Sequence, residues 1–128
     1  LSEMGLEPCA YSMTFNVTDN RLNAILNQRS QDVLVANNWN VVQYAVLVHM
    51  LAQVCGYEAG ELVHVIADAH IYDKHVPLVE ELIGRTQYPA PKFEMNPDVK
   101  DFYEFTLDDF KLANYQAGPQ IKNIPVAE

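Results

Sequence analysis

The chain has 128 residues, 49% of them hydrophobic and 20% charged, a composition that fits one globular domain with a real core and excludes a disordered chain. Its formal net charge of −9 argues against DNA, RNA or an anionic membrane surface as a partner, since those need an excess of Lys and Arg. The acid excess falls mostly after Glu58, which leaves room for a small phosphorylated ligand near Arg29. Gln43, His49 and Gln53 interrupt the most apolar stretch, so no membrane span is expected. No signal-peptide pattern opens the chain, and Cys9 and Cys55 read as reduced, which together place the protein in the cytoplasm. The chain starts at Leu1 without a methionine, as a piece of a longer product would.

Residues 9–30 read as a β-hairpin about Asp19-Asn20, two residues that tolerate positive φ. A two-residue turn there sets Tyr11 opposite Gln28, Met13 opposite Leu26, Phe15 opposite Ala24 and Val17 opposite Leu22. It also sets Cys9 opposite Ser30, beside Arg29. Residues 39–57 read as one helix, apolar on nearly every side and hence central to the core, with Gly56 and Gly60 at its exit and Cys55 as a small core residue.

Residues 61–72 read as a strand with an apolar odd face (Val63, Val65, Ala67, Ala69, Ile71) and a largely polar even face (His64, Ile66, Asp68, His70, Tyr72). Residues 76–85 read as a second helix ending at Gly84. Residues 92–95, 102–105 and 110–112 read as short strands, and the tail from Ala117 as irregular. The class expected is α+β: a mixed or antiparallel sheet with helices packed on one face.

Chemistry concentrates in residues 27–40. Arg29 and Ser30 put a fork of charged donors beside a hydroxyl, a pairing suited to a phosphate monoester. Asn40 carries a donor and an acceptor side by side, which suits the edge of a pyrimidine. Cys9 would be favoured as thiolate, the attacking form, by a guanidinium across the hairpin; without that neighbour a cysteine after proline reads as inert. Plainer alternatives stay open: an Arg29–Asp32 ion pair, Ser30 as a loop former, and Asn37, Asn38 and Asn40 as helix caps. Asp32 either orients Arg29 or touches a ligand.

Asp68, His70 and Tyr72 on one strand face suit hydrogen bonds to a sugar hydroxyl. A metal held with His64 or His75 is disfavoured, because an alternating strand rarely closes a tetrahedral site. A protease built from Cys9, His70 and Asp68 is disfavoured too, for want of a nucleophile-elbow pattern.

The blocks Glu7-Pro8-Cys9, Gln28-Arg29-Ser30-Gln31-Asp32-Val33, Asn40, the apolar run 44–53, Asp68-Ala69-His70-Ile71-Tyr72, Ile121-Lys122 and Pro125-Val126-Ala127 come in an order and spacing that resemble the C-terminal half of the thymidylate synthase family. The resemblance runs over nearly all of residues 1–128, which it implies are the C-terminal part of a thymidylate synthase-like domain. It implies reductive methylation of dUMP to dTMP, with methylenetetrahydrofolate as co-substrate and no metal. Cys9 would be the nucleophile that adds to the pyrimidine ring. Arg29 and Ser30 would hold the phosphate, with Gln28 beside them in the family's signature as a further substrate-site residue. Asn40 would read the uracil edge, and His70 and Tyr72 would take the ribose hydroxyl. Asp32 would serve dUMP and the folate side, and Ala127 the tail that closes over the ligands. A homodimer is implied, formed by sheet-to-sheet packing that the apolar face of Tyr11 to Val17 would suit.

Some residues depart from the family pattern. Ala10 stands where many members have His, Gly118-Pro119 replaces a His-Pro, and Glu128 ends the chain where an apolar residue is usual. The family's upstream half, with its proton-managing glutamate, further arginines and a tryptophan near the folate, is not among these residues. Two other readings therefore remain: a pyrimidine nucleotide hydroxymethylase, and a nucleotide-binding or dimerisation module without catalysis.

Overall fold

The structure is a computed structural model that describes residues 5–126. Asp19 and Asn20 both take positive φ, 49° and 62°, as a two-residue turn matched to the strand twist demands. They join β1 (Ala10–Thr18) to β2 (Arg21–Gln28) with Met13 opposite Leu26, Phe15 opposite Ala24 and Val17 opposite Leu22, as expected. The open end of the hairpin differs. A register shift between Ala10 and Ser12 places Ala10, and not Tyr11, opposite Gln28. The Arg29 N–H then donates to the Cys9 carbonyl at 2.9 Å. Cys9 thus lies opposite Arg29 and not Ser30, because a β-bulge adds one residue to one strand of a pair.

From Gln28 the chain passes through β3 (Gln31–Asp32) and helix α1 (Asn37–Cys55), then returns as β4 (Glu58–Ile66), parallel to β2. The sheet order is β1-β2-β4, one pair antiparallel and one parallel. It is the mixed sheet of an α+β fold. The expected single strand over 61–72 is two pieces: β4 ends where its partner β2 ends, and β5 (Ala69–His70) pairs with β3 instead. Gly56, at φ 76°, closes α1 in the left-handed conformation. Gly60 lies inside β4 and not at the helix exit; a Cβ there would come within 2.9 Å of the Leu22 carbonyl oxygen, so the close approach of β4 to β2 requires glycine.

Leu22, Ala24 and Leu26 of β2 meet Val48 and Ala52 of α1 in the buried core, the last two one helical turn apart on one face. Tyr11, Met13 and Phe15 lie on this same side, where with Leu26, Tyr44, Leu47 and Leu51 they line a cavity of about 350 Å³. The apolar Tyr11–Val17 face is therefore the α1 side of the sheet, not the outward face that the dimer expectation assigned to it. The pairing puts Ile25, Val63 and Val65 on the outward face, together with Asn27. In β4 the odd apolar residues point out, with Val63 and Val65 both 48% exposed, and the even His64 points in toward Gln28.

Helix α1 is apolar all round, yet Trp39 is 78% and Val42 61% exposed. These exposed residues lie in its first turns; from Tyr44 to Val54 every residue is buried or half-buried, as a helix central to the core requires. Cys55, its last residue, is exposed and not a core residue.

Residues from Tyr72 onward form a second compact unit. A 3-10 turn at Asp73–His75 leads into α2 (Val76–Ile83), and β6 (Lys92–Met95) pairs antiparallel with β7 (Phe110–Ala113). Phe105 stacks on Phe110 at 5.5 Å. The strand expected at 102–105 is instead a 3-10 turn, Phe102–Glu104, started by Asp101 accepting from the Tyr103 N–H at 2.8 Å. His75 is 2% exposed, its Nε2 is 2.8 Å from the Pro125 carbonyl oxygen, and its ring meets Tyr72 edge-on. Ala127, expected on the folate side, and Glu128 lie outside the described residues.

Candidate functional site

The site grows from one buried amide. Gln28, at the end of β2, is 2% exposed, so each polar atom of its side chain needs a partner. Its NH2 group, with two protons, faces three acceptors: the Ser30 carbonyl at 2.7 Å, Gln31 Oε1, and farthest, at 3.4 Å, Asn40 Oδ1. Its Oε1 lies 2.9 Å from His64 Nε2. Gln31, 1% exposed, donates from its own Nε2 to the Asp32 carbonyl at 3.1 Å. One network therefore ties β2, β3, α1 and β4 together. Burial pushes the His64 pKa down, which keeps the ring neutral at pH 7. With Gln28 Oε1 as an acceptor, the proton of that neutral ring sits on Nε2.

Arg29 is exposed and reaches back along the strand that carries Cys9: its Nη2 donates to the Glu7 carbonyl at 2.7 Å. Asp32 is occupied elsewhere. Its Oδ1 accepts from the N–H groups of Leu34 and Val35 at 3.0 and 3.1 Å, so it builds the turn into α1 and forms no ion pair with Arg29 among the described residues. Ala36 is the cap of α1 and no side chain caps it, which removes the capping alternative for Asn37, Asn38 and Asn40. Cys9 is a half-buried free thiol.

Parallel pairing of β3 with β5 brings residues 68–70 alongside 31–33, with the Gln31 N–H donating to the Asp68 carbonyl at 2.9 Å and the Val33 N–H to the His70 carbonyl at 3.0 Å. His70 Nδ1 lies 3.4 Å from Asp68 Oδ2. Cys9, Gln28, Arg29, Ser30, Asp32, Asn40 and His70 thus belong to the first compact unit, Leu1–Ile71, and Tyr72 opens the second. His70 and Tyr72 do not share a strand, contrary to expectation.

The sequence reading missed Gln31 as a network member, and it weighed His64 only as a metal ligand. The signal for His64 was its even position on β4, readable only once β4 is known to pair with β2. Among the described residues, no group of three or more His, Cys, Asp or Glu is placed to hold a metal ion, and no helix is long and apolar enough to cross a membrane.

The site thus offers an exposed guanidinium, a hydroxyl, a half-buried thiol and an amide held by its neighbours. Comparison with known proteins finds one family over the same residues. The thymidylate synthase family model matches residues 1–127. A thymidylate synthase of Bacillus mojavensis is 45% identical over 121 residues, 94% of this chain and 43% of the relative. Thymidylate synthase 1 of Bacillus subtilis strain 168 is 44% identical with the same coverage. The solved structure of thermostable thymidylate synthase A from Bacillus subtilis matches with a TM-score of 0.92 at 42% identity, over 97% of this chain and 45% of that one. The chain spans less than half the length of these three.

Proposed function

The chain belongs to the thymidylate synthase family, and from that premise we propose that its site serves the reductive methylation of dUMP to dTMP in the cytoplasm. Methylenetetrahydrofolate, as co-substrate, supplies both the one-carbon unit and the hydride. Cys9 attacks the pyrimidine ring as thiolate by conjugate addition, which turns the neighbouring ring carbon into an enolate-like nucleophile for the one-carbon unit. That carbon then gives up its proton, the folate is released and its hydride completes the methyl group as the thiolate leaves. Arg29 and Ser30 hold the phosphate, with Gln28 beside them. Asn40 reads the uracil edge, and His70 and Tyr72 take the ribose hydroxyl. Asp32 and Ala127 serve the folate side.

The observation that carries this reading is the Gln28 bridge, which joins Ser30 at the phosphate end to Asn40 at the base end. In the same unit the Arg29 backbone is bonded to that of Cys9. The outward sheet face, with exposed Ile25, Val63 and Val65, supports pairing of two copies there.

The test is titration of the chain with 5-fluoro-dUMP and methylenetetrahydrofolate, read by intact mass. Fluorine at the alkylated carbon cannot leave as a proton does, so a competent site stops at a covalent adduct on Cys9. A folded chain that binds dUMP and forms no adduct points to the second reading, a nucleotide-binding and dimerisation module. Formation of hydroxymethylated product from a pyrimidine nucleotide would point to the sister activity instead.

A further inference from the structure

We propose that His64 is a positioning residue for base selection: acting through Gln28, it fixes the direction of the Asn40 amide and so makes the site prefer a 4-oxo pyrimidine nucleotide over its 4-amino counterpart. The proposal rests on the nucleotide reading given above. An amide has nearly the same shape in either direction, so an unsupported asparagine serves both bases. Uracil shows an acceptor at position 4 and a donor at N3; cytosine shows a donor and an acceptor in those places. In one pose the two bases need opposite amide directions, and whatever holds the amide decides between them.

Three contacts hold it. The Ser30 carbonyl can only accept, and it lies 2.7 Å from Gln28 Nε2, so the NH2 end of Gln28 faces it. The other end of that amide, Oε1, meets His64 Nε2 at 2.9 Å, where a ring N–H satisfies it. Turning Gln28 around would set two oxygens against each other at Ser30 and remove the acceptor that His64 faces. With Gln28 held at both ends, its NH2 faces Gln31 Oε1 and, at 3.4 Å, Asn40 Oδ1. A reversed Asn40 would bring two NH2 groups together. Because Gln28 is 2% exposed, an Oε1 left without the His64 donor carries the cost of a buried unpaired group.

The experiment measures dissociation constants of the full chain for dUMP, dCMP and 2-deoxyribose 5-phosphate in wild type, His64→Leu and His64→Gln. It also determines the His64 tautomer by long-range 1H–15N correlation on the nucleotide-free wild type. We expect His64→Leu to lower the dUMP-over-dCMP preference about tenfold, the scale of one buried hydrogen bond. Binding of the base-free sugar phosphate should stay as in wild type, and His64→Gln, which keeps a side-chain N–H, should restore much of the preference. The ring should carry its proton on Nε2.

An unchanged preference in a folded His64→Leu chain overturns the proposal, and so does a proton on Nδ1. The tautomer needs no variant, so a leucine variant that fails to fold does not shelter the idea. A wild type that shows the Nε2–H tautomer but binds neither nucleotide overturns the nucleotide reading, and base selection with it.

Discussion

Leu26 and Gln28 sit two residues apart on the same side of β2, and both are buried. Leu26 is stabilised by the apolar surface it loses to solvent. Leu26→Ala should cost about 2–5 kcal/mol, read as a fall in the urea midpoint. Gln28 gains nothing from burial itself and depends on its partners, which is why the residues around it are polar. Burial also lowers the pKa of His49 and of His64 below the ordinary 6.5. The unfolded chain then binds those protons more readily than the folded one does, so stability is intact above the ordinary value and declines as the pH falls through it. The urea midpoint should be lower at pH 5.5 than at pH 7.5, and His64→Gln should narrow the gap; a flat profile would mean neither ring is withdrawn from water. Asp109, held below the usual carboxylate range by hydrogen bonds from Asn96 and Thr106, gives up its share only at more acid pH. At this scale Cys9, Arg29, Ser30 and Asn40 were legible as chemical types. His64 and Gln31 were not, because their partners come from strands joined by a long crossover that no local pattern announces.

The hairpin was the most legible element, since its turn and its period of two are both local, and its pairs match from Ser12 to Thr18. The bulge at its open end was not, because an extra residue leaves the alternation readable in either phase. The 61–72 segment misled for a related reason: its alternation continues past Ile66, but its pairing partner changes from β2 to β3. Helix α1 was placed to within two residues at each end. Its C-terminal glycine supplies a prediction. Gly56→Ala meets no neighbouring atom but keeps a φ of 76°, so it should cost about 1 kcal/mol from backbone strain alone, measured by urea denaturation. A neutral result would mean the helix end re-forms with another cap.

Across the whole chain, the burial of α1 is what sequence periodicity could not supply. A helix apolar on all sides is read as central, but whether each turn is covered depends on what packs there. Trp39, the sole tryptophan of the sequence, reports on the exposed first turns of α1. In the isolated chain its emission should resemble that of an indole in water, and acrylamide should quench it efficiently. Blue-shifted, protected emission would show that something covers this end of the helix. The mixed sheet was legible as a class, while the direction of each face was not. The expected dimer face proved to be the side that packs toward α1, so the proposed pairing of two copies falls on Ile25, Val63 and Val65. Sedimentation of Val63→Lys beside wild type checks it: the charge should shift a dimer to monomer.

The extra residue at the start of β1 carries a consequence for changes in chain length. Tyr11 has no partner across the hairpin and is 67% exposed. A gene lacking its codon would encode a hairpin that still sets Ala10 against Gln28 and Cys9 against Arg29. What it would lose is the bend that a bulge imparts to its strand. Loss of one codon there would thus pass almost unnoticed by stability and be felt in the aim of the thiol, so selection against that deletion would act on reactivity and not on folding.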